Sequence, residues 1–507
     1  MSDQTDAVPD GDKRLFWACF IALIATAFGF IVRALVIDDW AAEFNLTETQ
    51  KGEIFGVGLW PFAISIVLFS LIIDKIGYGR AMVFAFLCHV VSAVVTIRAQ
   101  GYWDLWIGNF IVALGNGTVE AVINPVVATM FVRNKTKWLN ILHAGWPGGL
   151  VLGGLLTIAL GTDTSWQIKV GLIFIPVVAY AIMMFGRTFP VNERVAAGVS
   201  FKAMLAEVGV LGALVVNYLM FAEVSKVFGW SDMTMWALIA AFTLGFGAYV
   251  QSIGNLLFVF LLLIMLPLAT TELGVDSWIT PLMGPAMEEI GLQAGWVLVY
   301  TSFVMMVLRF NAGPIVHRIS PLGLLAVSTV IAAVGLVTLS SASGIMILVA
   351  ATLYGVGKSF FWPTMLGVVA EQFPRGGALT LNAAGGVGML GVGVVGAVFL
   401  GAIQDKQVST DLASYDAANN TQLVEQYVTL DKESVLGAYT AVDPSLVAAA
   451  PEKDQAAIEG IEAGAKKNAL KTTAIFPVVM LFCYLLLILY FRSRGGYKAV
   501  ELTSEST

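Results

Sequence analysis

Charge is what this sequence has least of. Asp, Glu, Lys and Arg together make up 12% of its 507 residues, against about 25% in an ordinary soluble chain. With 58% hydrophobic residues and a mean hydropathy of +0.82, that scarcity excludes a water-soluble globule, which could not hide so much apolar surface. Cysteine is nearly as rare. Cys19, Cys88 and Cys483 all fall inside apolar runs, at spacings that suit neither zinc nor a thioredoxin-type pair, so no disulfide framework and no metal site is expected. Nucleophile motifs, metal-ligand clusters and phosphate-binding glycine loops are missing too. The chain is therefore read as not an enzyme and without cofactors, and its energy source as an ion gradient. Residues 1 to 12 are polar and acidic, and the first apolar run is too long and has no small-residue cleavage site. That run is expected to be retained as the first helix.

What the chain has instead is repetition. Runs of about 20 largely apolar residues, each long enough to cross a hydrocarbon core of about 30 Å as helix, recur from Leu15 to Phe491. Unpaired backbone groups are prohibitive in lipid, so an all-α integral membrane fold without a sheet is expected. Spans fall near 15 to 37, 53 to 73, 81 to 98, 105 to 131, 139 to 160 and 167 to 186, then near 255 to 274, 294 to 312, 322 to 341, 345 to 370, 378 to 402 and 472 to 491. Arg80, the group Arg133, Lys135 and Lys137, Arg187 and Arg194, Arg309 and Arg318, Arg375, and Arg492 and Arg494 occupy alternate connections. By the positive-inside rule these connections and both termini are cytoplasmic. Arg98 departs from the set, beside the interfacial aromatics Tyr102, Trp103 and Trp106.

The expected organisation is an N-terminal six-helix bundle over 1–190, a linker with two inserted helices over 191–252, a C-terminal six-helix bundle over 253–403 and 471–495, and a cytoplasmic tail over 496–507. An extracytoplasmic insertion over 404–470 interrupts the second bundle, which brings the helix count to about 14. Two arrangements fit 208–250: a pair of additional crossings, or a hairpin lying on the bilayer, since Asn217, Glu223 and Lys226 weaken the first as a span. The 404–470 insertion carries eleven Asp or Glu and five Lys; a folded lid and a solvated, partly helical loop both suit that composition.

The halves align at several points. Asp74-Lys75-Ile76-Gly77-Tyr78-Gly79-Arg80 follows span 2, and His317-Arg318-Ile319-Ser320-Pro321-Leu322-Gly323 follows span 8. Glu120 stands five residues before Pro125, and Lys358 five before Pro363; Leu139-Asn140 and Leu381-Asn382 open the next helices. Asp38 precedes Trp40 by two, as Asp276 precedes Trp278. Parallel repeats of this kind serve carriers that hold substrate between rocking halves.

Ionisable groups inside spans cost about 2.5–3.5 kcal/mol or more at mid-depth and so mark pathways or pairs. Arg33, Glu120, Glu272 and Lys358 stand out. Asn109, Asn116, Glu120 and Asn124 form a polar stripe at helical spacing, as do Tyr354, Lys358 and Trp362. Amides to bond hydroxyls, an aromatic face for a sugar ring and a carboxylate that takes a proton make a sugar site. His143 suits either a proton relay or a packing role, and Trp278 and Trp362 either a sugar face or packing. Gly145, Gly149 and Gly153 suit close helix approach.

Two sequences carry a resemblance. Asp74 to Arg80 resembles the loop 2–3 signature of the major facilitator superfamily, and Ala113-Leu-Gly-Asn116-Gly-Thr-Val-Glu120-Ala-Val-Ile-Asn124-Pro125 resembles the span-4 motif of the fucose permease family of sugar:proton symporters. Leu139-Asn140 before a glycine-rich span 5, Glu272 to Trp278, and Phe189 to Val199 are similar as well. The resemblance covers the twelve core spans and omits both insertions. It implies two pseudo-symmetric six-helix bundles, proton-coupled sugar uptake across a cell inner membrane, action as a monomer, and sugar binding with proton coupling at Glu120. Ala34 stands where that family carries a second coupling carboxylate in span 1. The substrate-binding set expected is Asn116, Glu120, Asn124, Asn140, His143, Lys358, Trp362, Asn382 and Trp278; the proton-coupling set is Glu120 and Glu272; gate or charge-pair residues are Arg33, Lys358, Asp74 and Arg80. One pairing hypothesis is that Glu120 exchanges Lys358 for a proton while Arg33 and Glu272 form an outer gate; static ion bridges are the alternative. An organic anion such as a uronate is the second substrate class, an exporter the third, and the partners are a small molecule, an ion (protons or sodium) and the bilayer, with no nucleic acid.

Overall fold

The computed structural model describes residues 10–276, 296–434 and 437–502. Among them, thirteen helices are long and apolar enough to cross a membrane, and a shorter apolar one adjoins residues outside the description. The first six are α1 (Lys13–Phe44), α2 (Gln50–Ile76), α3 (Tyr78–Ile97), α4 (Tyr102–Met130), α5 (Val132–Ala159) and α6 (Trp166–Met184). Two inserted helices follow, α7 (Phe201–Phe228) and α8 (Asp232–Val250). The remainder are α9 (Leu256–Gly274), α10 (Trp296–Phe310), α11 (Pro321–Ser341), α12 (Met346–Gln372), α13 (Pro374–Asn419) and α14 (Ile475–Ser493).

Packing repeats between the halves as the aligned motifs lead one to expect. The first helix of each set lies against the fifth, α1 on α5 and α9 on α13. Across the halves the relation is reciprocal: α2 packs on α13, and α5 packs on α10, each a second helix against the other set's fifth. Missing side chains make these crossings close. A Cβ on Gly386 of α13 would lie 2.7 Å from Val67 of α2, and one on Gly154 of α5 would lie 2.8 Å from Val299 of α10. Within the first half the series Gly145, Gly149 and Gly153 does what its spacing suggests, setting α5 against the backbone and side chains of α1.

The inserted pair is tied in by its ends. Backbone bonds from Val210 N to Ser252 O and from Asn255 N to Glu207 O clamp the start of α7 to the segment entering α9. The crossing requires glycine at 209 and 254, which have φ +59° and +97° and whose backbones meet at distances no Cβ could occupy. The rest of α8 is mostly exposed, with Met233, Phe242 and Leu244 outward, a surface suited to lipid.

One expectation needs correcting. A two-stranded antiparallel hairpin, β1 (Leu430–Ser434) with β2 (Gly437–Ala441), sits in the 404–470 insertion. It lies in a polar stretch outside the apolar spans, where water satisfies strand edges as lipid would not. The insertion is folded: the outer part of α13 pairs with a helix over Glu452–Thr473, around a small separate core of Val408, Leu412, Leu423, Tyr427, Ile458 and Ala465.

Candidate functional site

Polar side chains from both halves meet in the buried middle of the bundle. On α4 the Glu120 carboxylate accepts from the Asn124 amide at 2.5 Å, and the Asn124 oxygen lies 2.9 Å from His143 Nε2 on α5. Glu120, Asn124 and His143 are all buried. The four-residue step from 120 to 124 is one turn of helix, which is why these two side chains stack.

On the opposite side, α9 ends in a π-helical turn, Thr270–Gly274, that holds Glu272. Such turns re-aim side chains and recur at functional sites. One Glu272 oxygen accepts from Arg309 Nη2 of α10 at 2.6 Å and the other from the Trp362 backbone N–H at 2.9 Å. Lys358 on α12 pairs with Asp276, just past α9, while its ammonium lies 3.4 Å from the Glu272 carbonyl and 5.4 Å from the Tyr354 ring. Trp362 is 9% exposed, its indole seated where a Cβ on Gly388 would come within 2.8 Å.

Three hydrogen bonds at this level cross between the halves. Asn140 donates to Thr364 at 3.2 Å, Asn382 to the Ala121 carbonyl at 3.1 Å, and Arg309 Nη1 to the His143 carbonyl at 2.9 Å. The structure thus brings Glu120, Asn124, Asn140, His143, Glu272, Lys358, Trp362 and Asn382 into one region. Trp278 lies outside the described residues.

Both proposed charge pairings are corrected. Lys358 meets Asp276 and not Glu120, and Glu272 meets Arg309 and not Arg33. Arg33 instead donates to Ser92 on α3 at 3.1 Å. It belongs to a cluster inside the first half, where His89 bridges Tyr180 at 3.0 Å and Asn116 at 2.9 Å. The α4 stripe is consequently split: Asn116 meets His89 of α3, while Glu120 is joined through Asn124 to His143 of α5. Arg309, read from sequence as a loop charge, is 2% exposed. After a break at Asn311, helix resumes over Ala312–Arg318, so the crossing extends past Phe310 and Arg309 falls within it.

A second set of contacts closes the end where Asp74 lies. Asp74 pairs with Arg194 of the segment after α6, and Arg80 is exposed. Lys135 at the start of α5 meets Glu193 at 2.5 Å and the Ala370 carbonyl at 3.1 Å. Glu371 at the end of α12 accepts from Thr136 N at 3.1 Å and Thr136 Oγ1 at 2.5 Å on one oxygen, and from Tyr497 at 2.7 Å on the other.

Paired six-helix sets in reciprocal contact, with a polar centre between them, are matched by sequence comparison: the profile of the Major Facilitator Superfamily covers residues 18–396, more than half of the chain. The chain belongs to the Major Facilitator Superfamily. This facilitator is a multi-pass membrane protein. It is 25% identical over 174 residues to a cis,cis-muconate transport protein of Acinetobacter baylyi, covering 34% of this chain and 42% of that one. It is 23% identical over 182 residues to a probable sugar efflux transporter of Helicobacter pylori, covering 36% and 46%. The chain thus spans less than half the length of these curated relatives. Among solved structures, the proton:xylose symporter XylE bound to 6-bromo-6-deoxy-D-glucose superposes with a TM-score of 0.61 at 12% identity, over 97% of this chain and 98% of that one. A variant of the E. coli fucose:proton symporter FucP superposes at 0.55 and 14%, over 92% and 98%. At those identities the structures speak for the fold alone.

Proposed function

We propose that this facilitator is a proton-coupled carrier of a monosaccharide-like substrate, working by alternating access as a monomer in a cell inner membrane, with both termini and the Asp74 end cytoplasmic. The observation that carries the reading is the charge balance of the centre. Arg309 and Lys358 are each matched by a carboxylate, Glu272 and Asp276, while Glu120 is buried with an amide as its hydrogen-bond partner. Matched pairs leave amides, an indole and one carboxyl group for the substrate, which suits a neutral polyol. A buried carboxylate without a cation is costly when ionised, so Glu120 is the group assigned to carry the proton. Asn124, Asn140, Asn382 and Trp362 are assigned to the sugar, and Asp74 with Glu371 to the cytoplasmic gate. The span-4 resemblance to fucose permeases supports the same assignment.

The relative named for cis,cis-muconate favours a second reading, an organic anion in the same site with the same coupling. Uptake into proteoliposomes under an inward proton gradient separates them, with labelled L-fucose, D-xylose, D-glucose, D-glucuronate and cis,cis-muconate as probes. Accumulation of a neutral sugar that Glu120→Gln abolishes, with sugar exchange retained, is the expected result. Accumulation of the acids alone would replace the substrate class, and intact coupled accumulation in Glu120→Gln would remove Glu120 from the mechanism.

A further inference from the structure

Arg309 makes more connections than a static counter-ion needs. Its guanidinium donates through Nε to the Ser359 carbonyl at 2.7 Å, through Nη1 to the His143 carbonyl at 2.9 Å, and through Nη2 to Glu272 at 2.6 Å. Those acceptors belong to α12, α5 and the π-turn of α9, so one side chain joins three helices and both halves. The His143 whose carbonyl it holds is joined through Asn124 to Glu120, the carboxylate of this region without a salt bridge among the described residues. The other central cation, Lys358, is engaged by Asp276 and by the Glu272 carbonyl. The titratable groups facing this centre are Glu120 on α4, His143 on α5, Glu272 and Asp276 at the end of α9, Tyr354 and Lys358 on α12, and Tyr484 on α14. α13 contributes the neutral Asn382.

If Glu120 loses its proton in this buried setting, the new charge needs a cation, and Arg309 is the one bonded to the residue that Asn124 joins to Glu120. A guanidinium is a rigid fork. Turning its outer nitrogens toward Glu120 withdraws them from Glu272 and from the His143 carbonyl. Glu272 keeps the Trp362 N–H and the nearby Lys358, so its charge stays compensated. The cross-half bond to His143 does not survive the turn.

We propose that Arg309 is the positioning residue that transmits the protonation of Glu120 to the contact between the halves: with Glu120 protonated it holds Glu272 and the His143 carbonyl, and with Glu120 ionised it turns to Glu120 and lets the halves part. This rests on the assignment of the proton to Glu120. It gives the linkage a sign, because acid favours the arrangement described above, closed at the Asp74 end, and alkali releases it.

The test needs no substrate. Cys19, Cys88 and Cys483 are replaced by alanine, spin labels are placed at the exposed Arg133 and Arg318 in the full-length protein in lipid nanodiscs, and pulsed dipolar spectroscopy reads their separation against pH. The unsubstituted centre is expected to shift its closed-to-open ratio toward closed as pH falls, by at most about tenfold per pH unit for one linked proton. Glu120→Gln should hold one closed-to-open ratio, weighted toward closed, at every pH, still opening often enough for exchange. The charge-neutral double variant Arg309→Gln/Glu272→Gln, which avoids burying a lone carboxylate, should lose the pH response. Arg309→Lys keeps the charge but not the fork, so it should keep the response with a smaller closed population throughout. A pH response in the double variant equal to the parent's, with Glu120→Gln insensitive, overturns the role of Arg309 and leaves Glu120 standing. A response that persists in Glu120→Gln, or is missing from the parent, overturns the assignment of the proton to Glu120 and this inference with it.

Discussion

Asn124 uses both ends of its amide, the nitrogen on Glu120 and the oxygen toward His143. An oxygen accepts, so His143 donates through Nε2 in this arrangement. An amide set between the two is a poor proton conductor, which decides between the two roles the sequence left open for His143. His143→Gln should keep proton-driven accumulation within about twofold of the parent, since a glutamine can make the same donation. His143→Leu leaves the Asn124 oxygen buried and unmet, at about 1–3 kcal/mol, and should lower the thermal midpoint of the purified protein. Loss of accumulation in His143→Gln at an unchanged midpoint would restore the relay. At this scale Glu120, Glu272 and Lys358 were legible because a charge in an apolar run is conspicuous. Arg309 was not, because hydropathy ends the run at Asn311-Ala-Gly-Pro314 while the backbone breaks there and continues as helix. Spacing also cannot distinguish Asp276 from Glu120 as the partner of Lys358, since that depends on how far the π-turn rotates the end of α9.

Helices approach each other here through missing side chains, and the positions are exacting. A Cβ on Gly117 of α4 would stand 2.1 Å from the Phe62 carbonyl of α2. Gly117→Ala must push these helices apart and should cost about 1–3 kcal/mol, read as a fall in thermal midpoint without change of substrate preference. The ends of elements carry further contacts between the halves. Glu371 takes Thr136 from the first half on one oxygen and Tyr497 from the tail on the other, and its carbonyl accepts from Val500 N at 2.8 Å. Tyr497 thus orients the carboxylate that latches α12 to α5. A hydrogen bond to a charged group contributes about 1.5–3 kcal/mol, and 1.4 kcal/mol is tenfold in an equilibrium. Tyr497→Phe should therefore raise the modification rate of a cysteine placed at the buried Ala370 by about tenfold or more; an unchanged rate would leave the tail with no part in the latch. Element existence was readable from apolar runs and loop charges. The latch was not, because α5, α12 and the tail are hundreds of residues apart and no local pattern joins them.

Over the whole molecule, reciprocal contact of second and fifth helices is the physical content of the internal repeat, and it follows from motifs at matching places in two sets of six spans. The insertions break that symmetry in different ways. The α7–α8 pair joins the continuous core through Val208, Val216 and Leu219 of α7 and Val250 of α8. The 404–470 insertion builds a core of its own in which Leu423, Tyr427 and Ile458 meet Val408 and Leu412, and hydrogen bonds tie it together: Asp416 caps the turn at Leu423 and Val424, and Tyr427 reaches Asp454. The Glu452–Thr473 helix also packs on α11 and sends Ala469 and Leu470 into the main core, whereas the short elements over 421–450 pack on the insertion's own helices, so removing these alone puts little of the bundle's stability at risk. Replacing residues 421–450 by a short glycine-serine link between α13 and the Glu452–Thr473 helix should leave the thermal midpoint of the bundle within a few degrees, a shift that in a domain of about 150–250 residues corresponds to about 1 kcal/mol. Transport then separates the two roles that composition allowed: a lid that shields the site from bulk water would show in the deletion as faster exchange or leaking protons, whereas a solvated ornament would leave accumulation and coupling as they were. The packing of 421–450 on the insertion's own helices favours the second outcome, and a changed proton-to-substrate ratio in the deleted protein would establish the first.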